Sequence, residues 1–167
     1  MSDKKHLASI FSDWHIHDYK RFNTNSSRLS NCIRVLFDIA KFNREKGIKT
    51  ILFAGDLYDT QKALLTNVVN ETVKAFKMFE LHYPEQTIYA ITGNHDQSTK
   101  NLLENPSISA LTHISAICKN FVVIDNKHYE IEDGILLHGI PYYEYKEHFN
   151  EQKLSKGSHI LFLILFT

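Results

Sequence analysis

Three apolar runs, HLASIF (6–11), IKTILFA (48–54) and QTIYAIT (86–92), alternate with two long stretches of helical periodicity, and a polar cluster follows each run. No other feature of the chain limits its fold so much. Apolar strands joined by helix-length connections form a parallel sheet with right-handed crossovers. The connections here have the required pattern. In SSRLSNCIRVLFDIAKFNREKG (26–47), Leu29, Ile33, Leu36, Phe37 and Ala40 fall on one helical face, and Gly47 closes the helix. From about Lys62 to His82, Leu65, Val69, Val73, Phe76 and Phe79 do the same until Pro84 ends the run.

Beyond residue 100 the pieces shorten. One or two helical turns are expected around 107–117, followed by strands at FVVID, HYEIE and GILLHGIP; HYEIE, a DG turn and a further apolar run make a hairpin signal. EYKEHFNEQKL (144–154) reads as a short helix and SHILFLILFT as one more strand. At 167 residues the chain suits one domain with a single core.

The polar clusters at the strand ends carry the chemistry. Asp13 and His15 follow the first strand, Asp56 and Asp59 the second, and Asn94, His95 and Asp96 the third. Parallel strands open all three loops on one sheet edge, so these side chains can converge. Carboxylate, imidazole and amide donors together suit divalent manganese, iron or zinc. A carboxylate between two ions can bridge them, and such a pair can hold the attacking and leaving oxygens of a phosphoester. Each cluster alone has a plainer reading: a helix cap and a surface histidine for Asp13 and His15, and ordinary turns for GDLYD and GNHD.

DxH, GDxxD and GNHD, in this order and each after a strand, resemble the first three motifs of the calcineurin-like metallophosphoesterases. The resemblance implies a four-layer α/β sandwich of two mixed sheets flanked by helices. It implies that Asp13 and His15 hold a first metal, that Asp56 bridges two metals and that Asn94 binds the second. His95 would then act as general acid or stabilise the transition state, with Asp96 holding its tautomer; Asp96 and Asp59 are expected to orient His95 or brace the loops. Two divalent ions, Mn2+ foremost, would complete the family site.

A narrower likeness rests on SDWHIH, GDLYDTQKAL, GNHDQSTKN, ENPSISAL and GILLHGIPYY, which look like the SbcD-type nuclease subunits of recombination and repair exonucleases, bacteriophage versions included. It implies a manganese-dependent nuclease working on DNA ends with an ABC-type ATPase (SbcC-like) subunit; whether the chain forms a homodimer is left open by the sequence. A phosphatase, a cyclic-nucleotide phosphodiesterase and a non-catalytic scaffold are the alternatives.

The sequence also departs from the family pattern. No GHxH occurs, and the last strand runs to the end of the chain where the fourth motif's histidine is expected next. His138 is a conceivable substitute upstream of that point, and His159 lies at the wrong end of its strand. The expectation is therefore a metallophosphoesterase domain over 1–167, truncated before the fourth and fifth motifs, binding fewer ions and having weak or absent activity. His17 stands where the narrower pattern often has glycine; it is read as a solvated loop histidine, with phosphate contact as the rival.

Composition narrows the partners. Lys plus Arg and Asp plus Glu both number 19, so no global basic excess marks a nucleic-acid binder. Any DNA contact must come from metal ions or a local patch, for which Lys4, Lys5, Lys20 and Arg21 are candidates. Tyr142, Tyr143 and Tyr145 are read as half-buried aromatics, with base stacking as the rival. Two cysteines without a CxxC spacing and no secretory leader fit a reduced, cytoplasmic protein. ILFLILF falls well short of the roughly 20 residues a membrane span needs.

Overall fold

The computed structural model describes residues 6–19, 27–60, 63–97, 109–132 and 134–142, together with the backbone of 158–163. Strands β1 (Ala8–Phe11), β2 (Thr50–Phe53), β3 (Thr87–Ala90) and β4 (Phe121–Val123) form one sheet in the order β1-β2-β3-β4, parallel throughout. Helix α1 (Arg28–Lys46) connects the first pair, α2 (Thr66–His82) the second and α3 (Leu111–Ile117) the third. A second sheet holds the antiparallel hairpin β5 (His128–Glu132) and β6 (Ile135–Ile140), with β7 (Ser158–Leu163) parallel to β6. The fold is thus α/β, consistent with a metallophosphoesterase. The helix expected at 144–154 lies outside the described residues, as do Lys4, Lys5, Lys20, Arg21, Tyr143 and Tyr145.

Every residue of β2 is buried because it has a layer on each face. Ile51 and Phe53 point into the helices, where they meet Leu36, Ala40, Phe76 and Phe79, whereas Leu52 points to the second sheet and clusters with Ile91, Ile124 and Leu137. This period-two division lets one short apolar strand join two cores.

Local chemistry sets the helix ends. Ser27 caps α1 by accepting the Ser30 N–H at 3.0 Å. Gly47 closes it at φ 69°, with its N–H on the Arg44 carbonyl. Helix α2 begins later than its sequence suggests, and its buried face is turned by about one residue. Val68, Thr72, Ala75, Phe76 and Phe79 are buried, while Leu65 is the N-cap and 59% exposed. Steps of three and four back from Phe79 reach Thr72 and Val68. Thr72 tolerates burial because its hydroxyl donates to the Val68 carbonyl at 2.8 Å.

Buried amides tie the layers together. Asn43 donates to the Ser9 hydroxyl at 2.9 Å, and Gln86 donates to the Ala40 carbonyl at 2.7 Å, so α1 is fixed to β1 and to the start of β3. On the other face β6 approaches β4 closely at Gly139. A Cβ there would lie 2.3 Å from the Ile124 carbonyl oxygen, so only glycine fits. No helix among the described residues is long and apolar enough to cross a membrane.

Candidate metal centre

The loops after β1 and β2 continue in parallel beyond their strands. Asp13 N–H donates to the Gly55 carbonyl at 3.1 Å, His15 N–H to Asp56 at 2.9 Å and Ile16 N–H to Leu57 at 2.8 Å. The DxH and GDxxD segments are therefore held in register by main chain. The third loop docks on the second through two glycines. A Cβ on Gly55 would lie 2.4 Å from the Gly93 nitrogen, and one on Gly93 would lie 2.2 Å from Asp56 Oδ1. Bare backbone at both places lets GDxxD and GNHD touch.

Asp96 locks that contact. Its Oδ2 accepts the Asp56 N–H at 2.7 Å and the Gly93 N–H at 2.9 Å, and its Oδ1 accepts the Leu57 N–H at 2.8 Å. The side chain is 1% exposed, and burial pushes its carboxyl up to about 6 against the pull of those three donors. Asp96 is thus a brace between the loops, one of its two expected roles. The other, holding the His95 tautomer, is corrected: the Asp96 oxygens are taken by backbone N–H groups, and His95 Nδ1 lies 2.9 Å from the Asp59 main-chain carbonyl. That carbonyl can only accept, so Nδ1 carries a proton and Nε2 is the ring nitrogen that this contact leaves unengaged.

Asp13, His15 and Asp56 each offer a donor atom within 4.8 Å of the others. Ligands on opposite sides of an ion with bonds of about 2.1 Å stand about 4.2 Å apart, so donors spread over as much as 4.8 Å come close to the span of one divalent cation and would draw in by about half an ångström to hold it. His15 Nδ1 is buried without a hydrogen-bond partner, 3.6 Å from Asp59 Oδ1. An orphaned imidazole nitrogen among three aspartates is what a cation would relieve. The same three residues have positive φ, Asp13 at 52°, His15 at 46° and Asp56 at 60°; Asn126 at 54° is the other non-glycine case among the described residues. Left-handed backbone costs roughly 1–2 kcal/mol at a non-glycine residue. Strain concentrated on the donor set makes these three residues a candidate functional site.

His95 stands next to this group, its ring centroid 4.8 Å from that of His15 in a T-shaped pair, and its N–H donates to Asp56 Oδ1 at 2.9 Å. Asn94 precedes it in the same loop and is half-buried. Beyond Asp59 lies Tyr19, whose hydroxyl bonds the Asp59 carboxylate, with the His17 ring against it at 4.3 Å. His138 is buried on β6, opposite His128 with ring centroids 5.8 Å apart, and does not join the Asp13–His15–Asp56 group. His159 pairs with Leu136 near the start of β7, at the opposite end from the β6 terminus that leads to Tyr142. Tyr142 is half-buried, and its N–H donates to the Thr92 carbonyl.

The sequence reading passed over Asp125, which follows β4 on the same sheet edge. It accepts the Thr92 N–H at 2.8 Å and bonds the Thr92 hydroxyl, which also meets Ser109 at 2.9 Å. Burial raises its carboxyl above the usual range. The available signal was its place, an aspartate at the carboxyl end of the fourth parallel strand. It fixes Thr92, the residue that leads into GNHD.

Residues 9–163 match the calcineurin-like phosphoesterase family. No curated protein matches the chain significantly.

Proposed function

Because the chain belongs to the calcineurin-like phosphoesterase family, a family of metal-dependent phosphoester hydrolases, we propose that its substrate is a DNA phosphodiester and that it is an SbcD-type nuclease subunit working with an ABC-type ATPase. The observation that carries the hydrolytic part is the convergence of Asp13, His15 and Asp56 within 4.8 Å, with His95 beside them. The DNA part is supported by the loop sequences SDWHIH, GDLYDTQKAL and GNHDQSTKN.

In this reading Asp13, His15 and Asp56 hold one ion, and Asp56 and Asn94 offer donors to a second. Manganese is the proposed metal. When bound, the ions supply positive charge against the phosphoryl oxygens and lower the pKa of the attacking water. The protein's own groups do the rest. Asp59 holds Nδ1–H of His95 through its carbonyl, so Nε2 is the nitrogen that, when the ring is the doubly protonated imidazolium, would pass its proton to the leaving oxygen and leave the ring neutral with Nδ1–H kept. Asp96 keeps the second and third loops at the separation this geometry needs.

The test is manganese titration by calorimetry, followed by digestion of linear DNA, on the chain and on Asp56→Asn. Binding and DNA degradation that are both lost in the variant support the proposal. Turnover of phosphomonoesters or cyclic nucleotides with DNA left intact moves the reading to a phosphatase or phosphodiesterase. Metal binding without hydrolysis of any of these leaves a scaffold.

A further inference from the structure

Tyr19 is 56% exposed, yet its neighbourhood holds it firmly. Its hydroxyl donates to the Asp59 carboxylate, and its ring lies against His17 with centroids 4.3 Å apart and planes tilted by 36°. Its N–H donates to His17 Nδ1 at 3.2 Å. The preceding residue is tied as well, since Asn67 of α2 donates to the Asp18 carboxylate at 2.5 Å, and Ile16 bridges to Tyr58. An exposed tyrosine on a loop ordinarily has freedom about both side-chain torsions; this one has its backbone, ring and hydroxyl all engaged.

The residue that holds the hydroxyl is also the one that orients His95. Asp59 receives Tyr19 on its carboxylate and His95 Nδ1 on its carbonyl, and its other carboxylate oxygen lies 3.6 Å from His15 Nδ1. The ring therefore stands at the rim of the metal centre, one residue removed from the two histidines. A rigid aromatic surface beside a phosphate site presents to a nucleotide what a bare phosphoester has no use for: a flat apolar platform whose ordering cost has already been met by the fold.

We propose that Tyr19 is a substrate-contact residue on which a nucleobase next to the scissile phosphate stacks, making the site selective for nucleotide over simple phosphoesters. The inference rests on the phosphodiester reading above and adds to it the residue that would recognise the base. Stacking needs only a π-face, so the preference extends to all four bases and carries no sequence code. It also supplies local affinity that an evenly charged chain lacks.

The test compares two ligands with the same phosphate, 2′-deoxyadenosine 5′-monophosphate and 2-deoxyribose 5-phosphate, by calorimetry in manganese. It uses the native chain, Tyr19→Leu and Tyr19→Phe, with manganese affinity measured in each as a control on the centre. The native chain is expected to bind the nucleotide about tenfold more tightly than the sugar phosphate. Tyr19→Leu should bring the two within about twofold, and Tyr19→Phe, which keeps the ring and loses the tether, should retain most of the preference. An unchanged preference in Tyr19→Leu, or equal binding of both ligands by the native chain, overturns the stacking role and leaves the phosphoesterase reading standing. Failure of both ligands to bind removes the phosphate site itself and this proposal with it.

Discussion

The Asp96 carboxylate accepts the backbone N–H of Asp56 at 2.7 Å, although 40 positions separate the two residues. Asp56 is a member of the donor group, and it has positive φ. The bond therefore pins the strained main chain from which a proposed metal ligand projects. A residue that touches no substrate in this way controls where the ligand's oxygens stand.

Asp96→Asn should show both consequences. The amide keeps one acceptor oxygen but turns an NH2 toward backbone donors, so at least one of the Asp56, Leu57 and Gly93 N–H groups is left unsatisfied in the interior. A buried donor without a partner costs about 1–3 kcal/mol. Urea unfolding of the metal-free variant should show a loss of that size, and manganese titration a 10–100-fold weaker affinity, the usual cost of losing a group that orients a ligand. Unchanged manganese affinity would show that the brace does not reach the donors.

The pH dependence of stability follows from the same carboxyl. Burial raises Asp96 to about 6 in the fold, against about 3.9 in an unfolded chain. Between those values the folded state holds a proton that the unfolded state has released, so this group's contribution falls as pH rises through the window and is flat above it. Asp125, raised for the same reason, acts in the same direction. His17 and His113 oppose them, because burial lowers both and an acidic solution favours the unfolded chain that can charge them. Unfolding curves in chelator should therefore be read as a difference. The stability gap between the native chain and Asp96→Asn narrows from pH 4.5 to pH 7, and a gap that widens contradicts the raised carboxyl.

Gly93→Ala tests the docking of the third loop. Its methyl would lie 2.6 Å from the Asp56 nitrogen as well as on the Asp56 carboxylate, and neither neighbour can withdraw without breaking the Asp96 bonds. Overpacking of this kind costs typically about 1–3 kcal/mol. Far-UV circular dichroism should be unchanged, because Gly93 lies outside every helix and strand, while manganese binding is lost. A variant that binds manganese normally would mean that the two loops can part without harm to the donors.

Much of this arrangement is legible in the sequence because it follows from where parallel strands end. Asp13, His15, Asp56 and Asn94 were placed on one edge by the apolar runs before them, and the hairpin at HYEIE by its DG turn. The partners were harder to read. His95 is oriented by a carbonyl, a group every residue has, so no side-chain pattern could single out Asp59 over Asp96. The face of α2 was misphased because Leu65 matches the helical period while standing at the N-cap, and because Thr72 hides its hydroxyl on Val68. The positive φ of Asp13, His15 and Asp56 has no sequence signature, unlike that of Gly47 or Gly55. Asp125 was missed since a lone aspartate after a strand is common, and only its bonds to Thr92 set it apart.

His95 and Asp59 give the sharpest separation of binding from chemistry. His95→Gln leaves Asp13, His15 and Asp56 in place, so manganese should bind with near-native affinity. Loss of the ring nitrogen proposed to handle the proton should lower kcat by about 10²–10⁴ on a phosphodiester with a poor leaving group. A good leaving group such as p-nitrophenolate needs little protonation, and on it the loss should shrink. Asp59→Asn keeps the carbonyl that holds Nδ1, and so should spare the proton step while loosening Tyr19 and His15, whose neighbour it changes. The two variants thus predict opposite patterns, one dependent on the leaving group with metal affinity kept, the other independent of it with metal affinity reduced. If His95→Gln lost the same factor on both substrates, His95 would be stabilising charge in the transition state and the proton would reach the leaving oxygen by another route.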